Sequence, residues 1–168
     1  GTMFYVMEHV AGRIFWDPAL PDVPRDGRAA IFRGMNDALA RLHSVDPAKV
    51  GLGEFGRPDA YIARQVARWS KQYVGDQDAA GCIEGLDRLI EWLPKHLPPQ
   101  EPAAAVVHGG FRIDNLIFHP TEPRVLAILD WELSTLGDPF ADFAYHVMMY
   151  RMSIDSIAGP AGRDPDAL

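Results

Sequence analysis

An amide and a carboxylate, Asn115 and Asp130, stand at the outer ends of two short β-favouring runs, "NLIFH" and "VLAILD", which flank "PTEPR". The two prolines of the connection suit a turn better than a ladder. If the runs pair antiparallel, Asn115 enters the first strand where Asp130 leaves the second, and their oxygens meet at the open end of a hairpin. Magnesium takes oxygen ligands, draws few of them from protein, and leaves its other positions to water and phosphate oxygens. The pair therefore supplies a partial magnesium shell. The plainer explanation is that Asn and Asp are common at strand ends. Just before Asn115 lies the loop "HGGFRID", residues 108–114, placed to approach the same point.

The elements that must position this hairpin are mostly helical. Ile31, Met35, Ala38 and Leu42 recur at helical spacing and form one apolar stripe. "HSVDP" ends that helix at Pro47. A second helix starts near Pro58 and Asp59 and aligns Ile62, Val66, Trp69 and Tyr73. A third runs from about Ile83, with Leu86, Ile90 and Leu93 aligned and Pro94 bending its last turn. "AAAVVHG" is a further β-favouring run. The last helix follows "GDP": Asp138 caps it, Pro139 occupies its first turn, and Phe140, Phe143, Ala144 and Val147 face inward. Upstream of all this, "FYVMEHV", residues 4–10, reads as a strand with none before it to pair with. Trp16, Trp69, Trp92 and Trp131 read as core or interface residues, Trp131 packing inside on the side opposite Asp130. The tail, residues 153–168, is small, polar and proline-containing. The composite is an α+β pattern, mainly helical with a small β element.

Bulk properties narrow the classes. A chain of 168 residues fits one domain. The net charge of −7 argues against nucleic acid, whose phosphates want a basic face. A nucleoside triphosphate differs, because bound magnesium can carry the compensating charge. One cysteine, Cys82, and the absence of an export signal or a long apolar run favour the cytoplasm. His108, His119, His146 and Cys82 lack the spacing of a zinc site. No Gly-x-Ser-x-Gly elbow of a serine hydrolase occurs.

The loop carries a resemblance. His108-Gly109-Gly110, then Phe111, Arg112, Ile113 and Asp114, then Asn115, with Asp130 beyond, follow the register of a protein-kinase catalytic loop and its later metal-holding Asp. Residues 108–145, including "LDWE" and "GDPFAD", closely resemble the aminoglycoside phosphotransferase and choline kinase-like family, above all the branch associated with acyl-CoA dehydrogenases. "YVMEHVAGR", "LARLHSVD" and "ARQVARWSKQY" extend the similarity over nearly the whole chain. The resemblance implies a kinase-like fold, with residues 1–10 as the last amino-terminal-lobe strand and hinge. Residues 11–168 would be the carboxy-terminal lobe, incomplete at its carboxy-terminal end. It implies ATP-dependent phosphate transfer to a small-molecule hydroxyl, with Mg2+ held by Asn115 and Asp130. Glu8, His9 and Val10 would meet adenine, and His108 would support the loop. Asp138 and Asp142 would stabilise the loop and the last helix, although acids at a helix start are also favoured by the dipole. Arg112 would bind a phosphate or pair with one of those acids. The expected partner is a small hydroxyl acceptor, not nucleic acid or membrane, and the strand at residues 4–10 would pair two copies into a homodimer.

Two departures bear on activity. The family's catalytic Asp falls at position 110, where this chain has Gly110, and a base there contributes roughly 10²–10⁴-fold. Asp114 is the nearest carboxylate, but strand alternation would send it away from Asn115. The chain also has no glycine-rich loop and no strand lysine, its lysines being Lys49, Lys71 and Lys95. An impaired phosphotransferase is therefore expected, the alternative being a pseudokinase-like module that binds nucleotide or protein without catalysis.

Overall fold

The computed structural model describes residues 2, 4, 6–98 and 103–152. The element order is α1 (Arg25–His43), α2 (Tyr61–Ala80), α3 (Glu84–Trp92), β1 (Ala105–Val107), β2 (Leu116–Phe118), β3 (Val125–Ile128), β4 (Thr135–Gly137) and α4 (Pro139–Met148). Single 3₁₀ turns precede β2, as Ile113–Asn115, and β4, as Trp131–Leu133. The α+β architecture expected from the residue pattern is the one found.

The strands form two separate antiparallel pairs. β2 pairs with β3, Leu116 opposite Ile128, with a bulge between Ile117 and Phe118. β1 pairs with β4, Val106 opposite Leu136. The fourth strand, "TLG", was not expected: three residues with one glycine and no alternation give no readable period. It exists because β1 offers it a ladder.

Helix α1 buries Ile31, Met35 and Leu39 against Phe111, Ile113, Leu116 and Phe118, joined by Leu20 and Val23. This is one core, made where the first helix crosses the hairpin and the loop leading into it. The apolar stripe lies as read, except that Leu39 rather than Ala38 is fully buried. Gly34 permits the crossing, since a Cβ there would lie 1.8 Å from the carbonyl oxygen of Pro123 in the hairpin turn. Between α2 and α3 the Tyr73 hydroxyl accepts from the Ile83 amide at 2.7 Å and donates to Asp87 at 3.0 Å.

The strand expected at residues 4–10 is not formed: Phe4 and residues 6–10 carry no strand, and Tyr5 lies outside the described residues. β-rich composition does not make a strand without a ladder to satisfy its amides. The ladder contact comes later, where Arg13 and Phe118 exchange both backbone hydrogen bonds at 2.8 Å. Arg13 also donates from its guanidinium to the carbonyls of His119 and Glu122, each at 2.9 Å, fastening the incoming chain to the hairpin. The tail at residues 153–168 lies outside the described residues.

Two burial expectations are corrected. None of the four tryptophans is buried. Trp131 sits in a 3₁₀ turn, not a strand, and donates its indole N–H to the Ile128 carbonyl at 2.8 Å. On α4, Phe140 (65% exposed), Phe143 (51%) and Val147 face outward, while Asp142 and His146 are buried. The helix is rotated away from its apolar side because its inward positions serve polar groups. Asp138 caps it as read, accepting the Phe140 amide at 2.8 Å.

Burial holds the His146 pKa below its ordinary 6.5. The unfolded chain therefore takes up the proton first, and stability falls as pH drops below 6.5 until the folded-state pKa is passed. Replacing His146 with Phe removes this loss. Urea unfolding of the two proteins should show the variant gaining relative to the parent only below about pH 6.5.

Candidate active site

The loop at residues 108–110 is held by one carboxylate. Asp142, 1% exposed, accepts the His108 amide at 2.7 Å and the Gly109 amide at 2.8 Å. Its Oδ2 also meets His43 Nε2, at the last turn of α1, at 3.0 Å. A buried charge is tolerable only when donors surround it. Here two elements supply them, α1 and the loop, to a carboxylate carried by α4. His43 was not picked out in the sequence. Its one signal was position, at the end of the apolar stripe of α1.

His108 is fully buried, and both ring nitrogens are engaged. Its Nε2 lies 2.8 Å from the Leu129 carbonyl, which can only accept, so Nε2 carries the proton. Nδ1 then accepts the Gly110 amide at 3.2 Å. The ring ties the loop to the strand end just before Asp130, and the rings of Phe111 and Trp131 meet it edge-on. It has no nitrogen left for proton transfer.

Asn115 and Asp130 converge. Asn115 Nδ2 donates to the Gly110 carbonyl at 3.0 Å and lies 3.4 Å from Asp130 Oδ2. Among the described residues no donor meets Asn115 Oδ1. The backbone enforces the approach, since Leu129 donates to the Asn115 carbonyl at 2.8 Å and continues the ladder one step past β2 and β3. Asp130 then adopts the left-handed conformation, φ 65° and ψ 56°, which turns its carboxylate back toward Asn115. One amide oxygen and one carboxylate fit a magnesium ion that keeps most of its shell for water and phosphate. Among the described residues no group of three or more His, Cys, Asp or Glu side chains is arranged to hold a metal. A cage built from protein ligands alone is therefore absent from that set.

The two glycines differ. Gly109 has φ +84°, and a Cβ there would lie 2.8 Å from the Leu133 carbonyl oxygen, so the position demands glycine. Gly110 has no such φ. A Cβ there would meet only Asn115 Nδ2 and His108 Nδ1, both at 3.9 Å. A side chain at 110 fits, pointing into the space beside Asn115.

Arg112 pairs through two nitrogens with Asp114, Nε to Oδ1 at 2.9 Å, and not with Asp138 or Asp142. That bond raises the guanidinium pKa and occupies both oxygens of the acid that lies nearest Gly110 in sequence. Asp114 lies in a 3₁₀ turn rather than a strand, so pairing, not alternation, keeps it from Asn115. Glu8 and His9 are exposed and Val10 half-buried; none makes a hydrogen bond or ion pair with the described loop.

A family model described as "Phosphotransferase enzyme family" matches residues 1–163. Acyl-CoA dehydrogenase family member 10 of Mus musculus is 52% identical over 150 residues, covering 89% of this chain and 14% of that protein. Acyl-CoA dehydrogenase family member 11 of Gallus gallus is 51% identical over 150 residues, covering 89% and 19%. A crystal structure from Ralstonia eutropha JMP134, provisionally named an aminoglycoside phosphotransferase, superposes with a TM-score of 0.88. It is 47% identical, covering 96% of this chain and 49% of that one. An aminoglycoside-3'-phosphotransferase of type VIII shares the fold at a TM-score of 0.60 and 24% identity, over 81% and 50% of the two chains. The chain thus spans about half of these solved chains and under a fifth of the two relatives.

The Asp142 brace is directly testable. Asp142→Asn keeps the size but turns an amide NH2 toward one of the donors, leaving a buried N–H unpaired. Loss of about 1–3 kcal/mol in urea unfolding is expected. Hydrogen exchange at the His108 and Gly109 amides should accelerate with it. An unchanged exchange rate would show that the loop is held by something else.

Proposed function

This chain belongs to the phosphotransferase enzyme family, and from that premise we propose that it forms the catalytic-loop lobe of an ATP- and magnesium-dependent kinase for a small-molecule hydroxyl. Its kinase-like fold and family support phosphoryl transfer. The carrying observation is the convergence of Asn115, Asp130 and the Gly110 backbone at one end of the hairpin, with room left beside them. Asn115 and Asp130 would hold Mg2+. When bound, the cation neutralises charge on the phosphate oxygens being transferred. His108 and Asp142 keep the loop rigid, so that the residue at 110 and the amide at 115 hold fixed positions relative to each other. Because phosphoryl transfer relies on positioning and electrostatics, such rigidity is itself catalytic capital.

Gly110 supplies no base. Transfer by the chain as it stands is therefore slow, and Asp114, locked to Arg112, does not substitute. The same glycine favours a second reading, a nucleotide- or protein-binding module that retains the loop without the chemistry. Glu8, His9 and Val10 are assigned to the adenine side, and the cytoplasm is the proposed compartment. Among the described residues no helix is long and apolar enough to cross a membrane.

Two measurements separate these readings. Gly110→Asp should raise phosphate transfer by roughly 10²–10⁴-fold, assayed in this chain and in a form extended at both ends by the flanking segments of acyl-CoA dehydrogenase family member 11. Equal inactivity of both extended forms, folded and offered a broad panel of hydroxyl compounds, would favour the binding module. Separately, Asp130→Asn should abolish the magnesium dependence of ATP binding in calorimetric titrations while leaving the folded state intact. ATP binding that ignores magnesium in the parent chain would sink the metal assignment.

A further inference from the structure

Where α1 crosses the hairpin turn, a cavity of about 330 Å³ opens, walled by Arg33, Gly34, Asp37 and Arg41 of the helix and by Pro123 and Arg124 of the turn. A second hollow, of about 450 Å³, continues from Asp37 and Arg41 along the helix to Ser44 and Val45. The two share residues and form one elongated groove. It lies at the turn end of the hairpin, whereas Asn115 and Asp130 stand at its open end. The turn side is braced. Arg13 donates to the His119 and Glu122 carbonyls, the His119 ring accepts the Glu122 amide at 3.1 Å, and the His119 amide donates to the Arg124 carbonyl at 2.8 Å. A wall already fixed needs little ordering when something docks on it.

Charge in the groove is patterned. Arg33, Asp37 and Arg41 recur every four residues, so they share one face of α1, and all three are exposed. Arginine and aspartate at this spacing ordinarily pair. Yet among the described residues none of the three makes an ion pair or a side-chain hydrogen bond. The helix dipole accounts for Arg41, in the last turn, but not for Arg33 in mid-helix. Arg124 adds a third guanidinium, whose Nε donates to Glu122 at 2.9 Å. The groove is thus positive on a chain whose net charge is −7.

We infer that this groove docks an extended acidic segment of a protein partner, with its acids four residues apart. Arg33 and Arg41 are separated by about 12 Å along the helix, at about 1.5 Å per residue. In an extended segment, side chains on one face recur every second residue, and residues four apart lie about 13 Å from each other. Acids at those two positions meet the two guanidinium groups. The residue midway faces Asp37 and is neutral or basic, because a third acid there would meet a like charge. A small anion reaches one arginine only. The length and alternating charge of the groove suit a chain.

Three threonine heptapeptides, acetylated and amidated, test the pattern. The first carries Glu at its second and sixth positions and Lys at its fourth. The second has the same composition, with Lys second and Glu fourth and sixth. The third has Glu at all three. Each peptide, and inorganic phosphate, is titrated into the 168-residue chain at low salt and followed by NMR of the arginine Nε–H signals. The first peptide should bind about three- to fivefold more tightly than the second, the increment of one exposed ion pair, and should shift Arg33 and Arg41 together. Arg33→Gln should erase that difference. Asp37→Asn should improve the third peptide relative to the first. Both substituted positions are exposed, so neither change disturbs the core. Equal affinities for the first two peptides, a preference that survives Arg33→Gln, phosphate bound as tightly as the first peptide, or no binding at all would overturn the inference. The titrations need neither nucleotide nor magnesium, so their outcome is independent of the proposed phosphate transfer.

Discussion

The carboxylate of Asp142 cannot be buried unless three donors reach it, and those donors cannot reach it unless α1, the 108–110 loop and α4 meet at one point. That single constraint organises the candidate site. It goes with the rotation of α4 that leaves Phe140 and Phe143 in solvent, and it ties down the His108 and Gly109 amides. A buried ion of this kind adds little net stability compared with an apolar replacement, but breaking it strands a charge. Its return is geometric: the interaction is satisfied in one arrangement of the three elements only.

From that fixed loop the rest of the site follows by short covalent distances. His108 reaches across to the Leu129 carbonyl and draws the end of β3 toward the loop. Asn115 is five residues on, and its amide closes the loop on the Gly110 carbonyl. Asp130, next after Leu129, turns through a left-handed conformation and faces Asn115. The amide and the acid are thus brought together by the backbone on both sides, not by attraction for each other. Gly109 is required by this path, whereas Gly110 is not. The path therefore has space for a Cβ at 110, where the chain carries none.

Much of this was legible in the residues. The hairpin, the helices, the Asp138 cap and the approach of Asn115 to Asp130 all follow from patterns that repeat or sit at element ends, where local chemistry is decisive. The resemblance to phosphotransferases was carried by the same loop. What failed were inferences that treat apolar as inward. Trp69 and Trp92 lie on helices whose exposed sides are apolar, and Phe140, Phe143 and Val147 are apolar yet outward. Arg112, expected on a phosphate or on Asp138 or Asp142, pairs with Asp114, two residues away. The strand at residues 4–10 was read from composition, although a strand exists only with a partner.

The sequence by itself determined the family, the α+β class, and which residue types stand at 108, 109, 110, 115 and 130, because these depend on identity and order along the chain. The tertiary structure alone decided that Asp142, not a strand neighbour, fixes the loop. It also paired β1 with β4 and set α2 beside Gly109 to make a cleft. Those contacts join residues separated by about 30 or more positions, and no local period encodes them. They are chosen by which burial leaves the fewest polar groups unpaired, a comparison made over the whole folded chain at once.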